Sequence, residues 1–359
     1  MSKRNLIIAA VVLGLVALAV QFFSGPKRGG LDHRINTTLA SADHMQSIDE
    51  IVIENNSGSL HLQKRGKIWQ IQEKMGYPAS VKEVFNLLQK VVTHKISSVV
   101  TENPERLAYF TLLYKNETKD SSQKGSQLTL LAKKEPVFTL LVGKHRDSIS
   151  KASDMPSYPD GTYIRIGETK AVYLIKENLD LNVDAKTWMQ KELVSVKEDE
   201  IKAVRYETQA GQLVLSREKK EKKLELLGLE KGEKTSDFER NNLASELKKF
   251  TVDEIFPIDE VPASSLEMVS AVSVELFDQS TFDFQIFIKQ VLSPLKPGDK
   301  NNKPKYYLRL VPPTSDISKQ KWQHLYSLTD KWIFEIEEWR AKKWLKARKD
   351  FALAKDEQE

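Results

Sequence analysis

The sequence has 359 residues, of which 40% are hydrophobic and 29% are charged, a balance that allows one or two globular domains with a substantial core. The formal net charge of +5 is small for this length, which argues against a nucleic-acid partner. Cysteine is absent, so disulfides, thiolate metal sites and thiol nucleophiles are excluded.

An apolar run from Leu6 to Phe23 predicts a transmembrane anchor within residues 1–30. At 1.5 Å per residue this run would span roughly 27 Å, enough for the hydrocarbon core of a bilayer. The alternative is a cleaved signal peptide, because Ala17-Leu18-Ala19 resembles a processing site. We favour a retained anchor, because the run continues through that site. The anchor residues are Leu6, Ile7, Ile8, Val11, Val12, Leu13, Leu15, Val16, Leu18, Val20, Phe22 and Phe23.

Basic residues flank the run on both sides, so the positive-inside rule alone does not orient the chain. Lys3 and Arg4 precede the run, and Lys27, Arg28 and Arg34 follow it. Long domains translocate largely regardless of charge, whereas a short basic N-terminal tail tends to stay inside. We therefore expect the bulk of the chain to lie outside the cytoplasm.

Residues 31–47 are polar and predict a linker, and residues 48–196 predict a first lobe. Alternating apolar and polar residues indicate strands at 49–53, 60–62 and 68–71. Ser80 and Glu83 then have the spacing of a capping box before a helix with one apolar face. That face consists of Val84, Leu87, Leu88, Val91 and Val92.

The same succession recurs in residues 197–337, which predict a second lobe. Strands at 199–206, 213–215 and 224–226 are followed by Ser236 and Glu239, again at capping-box spacing. Two signals in the same order and at nearly the same offset indicate a duplicated domain rather than a solenoid. Residues 48–190 and 199–336 should therefore share one topology.

Four further strands are predicted to complete each lobe. They are expected at 128–131, 137–142, 163–166 and 172–175, and at 272–276, 282–288, 306–311 and 332–336. The predicted fold class is α+β: an N-terminal transmembrane helix followed by two similar lobes of mostly antiparallel sheet with a few packed helices.

The first lobe also carries a recognisable order of short motifs. They are Ile51-Val52-Ile53, Trp69-Gln70-Ile71, Leu87-Leu88, Val142-Gly143-Lys144, Gly161-Thr162-Tyr163-Ile164 and Val172-Tyr173-Leu174. After an N-terminal hydrophobic segment, this order resembles a bacterial family known only as a domain of unknown function, over about residues 48–340. Its members are often encoded beside an ABC transporter and its gliding-motility-type auxiliary subunit. The resemblance implies an inner-membrane protein of an envelope export complex and brings no catalytic residues. The charged tail after Trp339 departs from the family pattern.

Motifs that carry chemistry are absent from the sequence. No two of the six histidines have helical metal-ligand spacing, and no nucleophile elbow or dinucleotide-binding motif occurs. Gly143-Lys144 lacks the upstream glycine of a phosphate-binding loop. We therefore expect no catalytic, cofactor-binding or metal-binding residues and no enzymatic activity.

Residues 338–359 predict a basic C-terminal helix or tail. In a helix, Trp344, Ala347 and Phe351 would form an apolar stripe bordered by cations, a pattern that can lie on an anionic membrane. The alternative, which we favour, is that this stripe docks on the second lobe while the charges face solvent. The candidates for contact with a membrane surface or a partner are Arg340, Lys342, Lys343, Trp344, Lys346, Arg348 and Lys349.

The leading functional hypothesis is a non-enzymatic accessory or scaffold protein of an envelope complex, such as an ABC-type transporter, with membrane proteins as its partners. Antiparallel sheets offer edges that can pair with a partner, and a tether keeps the protein close to a membrane complex. The alternative is a periplasmic protein that binds a ligand in a cleft between the lobes. A deep apolar pocket with converging polar groups would favour that alternative.

We predict that the full-length protein stays in the membrane fraction after alkaline extraction, because residues 6–23 can span the bilayer and are not removed. Immunoblotting of the pellet and supernatant measures this. A soluble mature form that begins near Val20 would contradict the prediction.

Overall fold

A computed structural model describes residues 34–147, 159–289 and 304–354. Within these residues the fold is α+β, because antiparallel sheets dominate and a few helices accompany them. The predicted anchor at 6–23 lies outside the described residues. No helix in the described ranges is long and apolar enough to cross a membrane.

The chain divides into two compact units, and the boundary lies between Gln190 and Lys191. The sequence placed the boundary between the lobes at 196/197. The difference arises because residues 192–194 form a short strand that pairs with residues 250–251 of the second unit.

The first unit contains one nine-stranded sheet, in which all neighbouring strands are antiparallel. The strand order is β4-β3-β2-β1-β6-β7-β8-β9-β5. The strands are β1 (Glu50–Asn55), β2 (Gly58–Arg65), β3 (Ile68–Ile71), β4 (Tyr77–Pro78), β5 (Ile96–Thr101), β6 (Ser126–Ala132), β7 (Glu135–Asp147), β8 (Pro159–Ile166) and β9 (Val172–Ile175), and the helices are α1 (Ala42–Gln46), α2 (Val81–Thr93) and α3 (Ala185–Trp188).

Part of the expected linker is built into this unit. The Asn36 N–H donates to the Ile96 carbonyl at 2.8 Å, and Leu39 is buried. The polar composition of residues 31–47 did not reveal these backbone hydrogen bonds, because they depend on a strand far along the chain.

The second unit contains an eight-stranded sheet with the order β13-β12-β11-β17-β18-β19-β20-β16. Two further pairs, β10 with β15 and β14 with β21, lie outside this sheet. The strands are β10 (Glu192–Val194), β11 (Ile201–Thr208), β12 (Gly211–Ser216), β13 (Glu225–Leu226), β14 (Glu233–Thr235), β15 (Phe250–Thr251), β16 (Glu254–Pro257), β17 (Leu266–Leu276), β18 (Thr281–Lys289), β19 (Lys305–Val311), β20 (Trp332–Ile336) and β21 (Ala352–Ala354), and the helices are α4 (Asp237–Lys248), α5 (Asp316–Lys321), α6 (Gln323–Tyr326), α7 (Glu338–Lys343) and α8 (Arg348–Phe351).

The two large sheets run through their strands in the same sequence. In the first unit the order from β3 onward is β3-β2-β1-β6-β7-β8-β9-β5, and the second unit repeats it as β13-β12-β11-β17-β18-β19-β20-β16. Each strand of the second sheet therefore has a counterpart at the same place in the first, and β8 corresponds to β19.

Both predicted helix caps are present. The Ser80 hydroxyl accepts a hydrogen bond from the Glu83 N–H at 3.4 Å, and the Ser236 hydroxyl accepts one from the Glu239 N–H at 3.2 Å. These bonds satisfy backbone donors that the first turn of a helix leaves without partners. The buried residues of α2 are Val84, Leu87, Val91 and Val92, which confirms all of the predicted apolar face except the half-buried Leu88.

We predict that Leu87→Ala lowers the free energy of unfolding of the first unit by about 2–5 kcal/mol, because it leaves a cavity beneath α2. Leu88→Ala is the matched control on the same helix, and its loss should be smaller because Leu88 is half-buried. Denaturant unfolding measures both. Equal losses would show that the core does not lie on the Leu87 side.

Candidate functional site

In the first unit, a long segment covers one face of the sheet. Neighbouring residues of a strand point to opposite faces, and the face that carries Leu141, Tyr163 and Arg165 is called the Arg165 face below. Residues 102–125, between β5 and β6, cross this face. The buried residues of the resulting cluster are Leu107, Phe110, Leu112, Tyr114, Leu141 and Val172.

The covering segment approaches the sheet closely at Gly143. A Cβ atom at this position would overlap the backbone oxygen of Phe110, and the Lys144 N–H donates to that same oxygen at 3.1 Å. Only glycine leaves room for this contact. The segment is therefore fixed to β7 by backbone contact as well as by apolar burial.

Arg165 lies buried beneath the segment, with a side chain that is 3% exposed. Its guanidinium binds the Glu117 carboxylate through two hydrogen bonds, at 2.7 and 3.1 Å. It also donates to the carbonyl oxygens of Leu112 at 3.2 Å and Thr169 at 2.7 Å. The covering segment thus neutralises a charge that burial would otherwise disfavour.

The same contacts keep Glu117 ionised. Burial alone would raise the pKa of its carboxyl group, but hydrogen bonds from Arg165 and from the Tyr114 N–H outweigh this effect and hold the pKa below its usual range. Burial raises the pKa of Tyr114 to about 12, so its hydroxyl stays protonated and donates to the Gly167 carbonyl at 2.8 Å.

The corresponding face of the second unit has a much shorter cover. We call it the Arg309 face, because it carries Phe287, Tyr307 and Arg309. Between β16 and β17 the chain has only residues 258–265 to cross it. These residues bury Val261 against Tyr307 and Ile333, but they leave a groove of about 390 Å³. The lining residues are Ile258, Asp259, Val261, Pro262, Ala263, Leu266, Phe287, Arg309 and Ile333.

Strand pairing gives Arg309 the same place as Arg165. Leu141 of β7 pairs with Arg165 of β8, and Gln285 of β18 pairs with Arg309 of β19. The flanking residues also correspond, since Tyr163-Ile164-Arg165-Ile166 aligns with Tyr307-Leu308-Arg309-Leu310. Unlike Arg165, the Arg309 side chain is exposed. Neither an ion pair nor a side-chain hydrogen bond joins it to another residue in the described part of the chain.

The apolar lining of the groove continues along the sheet to an exposed methionine. Met268 of β17 pairs directly with Phe287 of β18, so both side chains lie on the Arg309 face. Met268 is 47% exposed, and Phe256, Leu266 and Phe287 are half-buried. In the part of the chain that the structure describes, the face therefore joins an apolar strip to a cation that has no ion-pair partner.

The sequence missed this site and pointed instead to the C-terminal residues. Trp344 lies in the interior of the second unit, with its ring centroid 5.0 Å from that of Phe284 and 5.6 Å from that of Phe250. The predicted single helix is interrupted between Lys343 and Arg348, and the chain ends its described part in β21, which pairs with β14. Phe351 is also buried, so the stripe packs inward as the docking alternative describes.

Most cations of this tail contact acidic residues. Arg340 and Lys343 both bind the Glu246 carboxylate, which is 4% exposed on α4. The remaining pairs are Lys346 with Glu239, Arg348 with Glu233, and Lys342 with Glu338. Lys349 is exposed. Of the predicted contact residues, Lys342 and Lys349 thus remain at the surface, and Trp344 and Arg340 do not.

In the described ranges, no three His, Asp or Glu side chains lie close enough together to hold a metal ion. The groove on the Arg309 face is lined by apolar side chains, the Arg309 guanidinium and the Asp259 carboxylate. These groups can bury apolar surface and pair with an opposite charge, which are the interactions of a binding site.

A family model described as Domain of unknown function (DUF4340) matches residues 69–268, more than half of the chain. The match begins in β3 and ends in β17, so it includes strands of both units. No curated protein and no solved structure matches the chain.

We predict stability effects of different size for the two corresponding arginines. Arg165→Ala should lower the free energy of unfolding by about 1.5–3 kcal/mol, because Glu117 and two carbonyl groups lose their charged donor. Arg309→Ala should change it by less than about 0.5 kcal/mol, because the exposed side chain has no such contacts. Denaturant unfolding measures both variants. A loss at Arg309 as large as that at Arg165 would show that Arg309 is a structural residue.

Proposed function

This chain belongs to the family described as Domain of unknown function (DUF4340), and we propose that it is a membrane-anchored, non-enzymatic binding protein of a cell-envelope complex. The observation that carries this proposal is the Arg309 face, where apolar residues lie open beside an arginine that has no ion-pair partner among the described residues. Exposed apolar strips that combine with a charged group are characteristic of surfaces that bind other proteins.

A protein partner is favoured over a small ligand by the first unit. There, residues 102–125 cover the part of the corresponding face that contains Arg165. The Arg309 face is also an open strip along the sheet that extends to Met268, rather than an enclosed cavity. Such a strip suits an extended segment or a protein surface.

The anchor predicted from the sequence fits the same proposal. An anchor at residues 6–23 would hold the protein beside membrane complexes at a high effective concentration, so that a modest surface suffices for binding. The proposed partners are membrane proteins of an ABC-type transporter, and the proposed side is extracytoplasmic. We attribute the shared strand order of the two units to an internal duplication, after which only the first unit retained a long covering segment.

The test uses the full-length protein, purified in mild detergent from its native membranes. Met268→Asp should reduce the recovery of co-purifying membrane proteins at least about fivefold, because a buried carboxylate without a partner disfavours binding. Ile68→Asp is the matched control, since Ile68 lies on a strand of the first unit and is 46% exposed, compared with 47% for Met268. Quantitative mass spectrometry gives the recovery, and thermal unfolding checks that both variants are folded.

Equal recovery of membrane proteins with the two variants would show that the Arg309 face does not bind them. A protein that purifies without membrane partners but with a bound small molecule would support the ligand-binding alternative instead. Transporter subunits that are lost with Met268→Asp and retained with Ile68→Asp would support the proposal.

A further inference from the structure

We propose that the Arg309 face binds an extended segment of a partner protein that carries aliphatic side chains followed by a carboxylate, and that Arg309 pairs with this carboxylate. This inference rests on the proposed function and adds the chemistry of the partner. It follows from comparing the two units, because the first unit contains its own version of the bound segment.

The first unit shows what the part of this face that the two units share can bind. Along the covering segment, Leu107 and Leu112 bury apolar surface, and Glu117 then reaches Arg165. Arg309 has the same strand position and similar flanking residues, but it has no carboxylate partner among residues 34–147, 159–289 and 304–354. The missing component is therefore an apolar segment with an acidic group.

The acidic residue that lines the groove does not fill this role. Asp259 belongs to the short cover, and it forms no ion pair with Arg309. A guanidinium can bind a carboxylate through two parallel hydrogen bonds, a geometry that selects carboxylates over other acceptors. Arg309 is thus available to select a partner by charge.

One difference between the units restricts the shape of the bound segment. Val142 pairs with Ile164 and Ile286 with Leu308, so Gly143 and Phe287 follow at corresponding places. Gly143 admits the backbone of Phe110, whereas the side chain of Phe287 occupies space on its own face. The partner segment must therefore lie farther from β18 than Phe110 lies from β7. Aliphatic side chains that reach into the groove of about 390 Å³ meet this requirement.

The experiment selects peptides from a random phage-displayed library on the full-length protein in lipid nanodiscs. The selected peptides should share aliphatic residues and a downstream Asp or Glu. Arg309→Glu should weaken the binding of such a peptide by about tenfold or more, because it replaces an attraction with a repulsion. A peptide in which Lys replaces the acidic residue should recover binding to the Arg309→Glu variant but not to the wild-type protein.

Lys231→Glu is the matched control, because it makes the same charge change at an exposed residue in the turn between β13 and β14. This control should leave peptide binding unchanged. Unchanged binding by Arg309→Glu, or selected peptides without an acidic residue, would overturn the inference. Binding that appears only after residues 290–303 are replaced by a Gly/Ser linker would also overturn it, since the face would then be occupied by this chain itself.

The outcomes also separate this inference from the proposed function. If Met268→Asp abolishes the recovery of membrane partners while Arg309→Glu does not, the proposed function stands and the carboxylate pairing fails. If neither variant changes recovery, both fail.

Discussion

Both units depend on covering the two faces of a wide antiparallel sheet. The central strands carry apolar residues on both sides, as Leu140 and Leu141 illustrate, and each side must be removed from water. The first unit meets this constraint on the Arg165 face with residues 102–125, whose closest contact requires Gly143. Among the described residues, the second unit meets it only in part. The two sheets have the same strand order, but the connection that covers Arg165 (residues 102–125) is longer than the one that crosses the Arg309 face (residues 258–265).

In the second unit, the C-terminal residues contribute to the core. Trp344 and Phe351 complete an aromatic core around Tyr206. Glu246 on α4 forms ion pairs with Arg340 and Lys343. A carboxylate that is 4% exposed would be strongly disfavoured alone, so the two cations and the acid must be buried together. The basic composition of the tail therefore serves internal pairing at several positions, in addition to the surface charge it suggests.

Sequence patterns predicted the strands and capped helices well, because alternation and Ser-x-x-Glu spacing are local signals. They predicted β9 and β20 at their observed bounds. They did not identify the Arg309 face, because its exposure depends on how much of the sheet residues 258–265 cover. Residues 102–125 form a longer cover at the corresponding place in the first unit. The internal similarity of Tyr163-Ile164-Arg165-Ile166 and Tyr307-Leu308-Arg309-Leu310 was a usable signal. Sequence patterns also could not show that Lys346 forms an ion pair with Glu239, since such pairs join residues far apart in the chain.

The pairing of β14 with β21 has a consequence for biosynthesis. Arg348 binds Glu233, which precedes it by 115 residues, and Phe351 packs beside Tyr206. During translation the first unit can close as soon as residue 190 has emerged, because its contacts lie within its own span. The second unit must wait for residues 344–354, and until then its aromatic side chains stay accessible to chaperones and proteases. We therefore expect the two units to fold in sequence, and a chain that ends after residue 336 to have a folded first unit and an incomplete second unit.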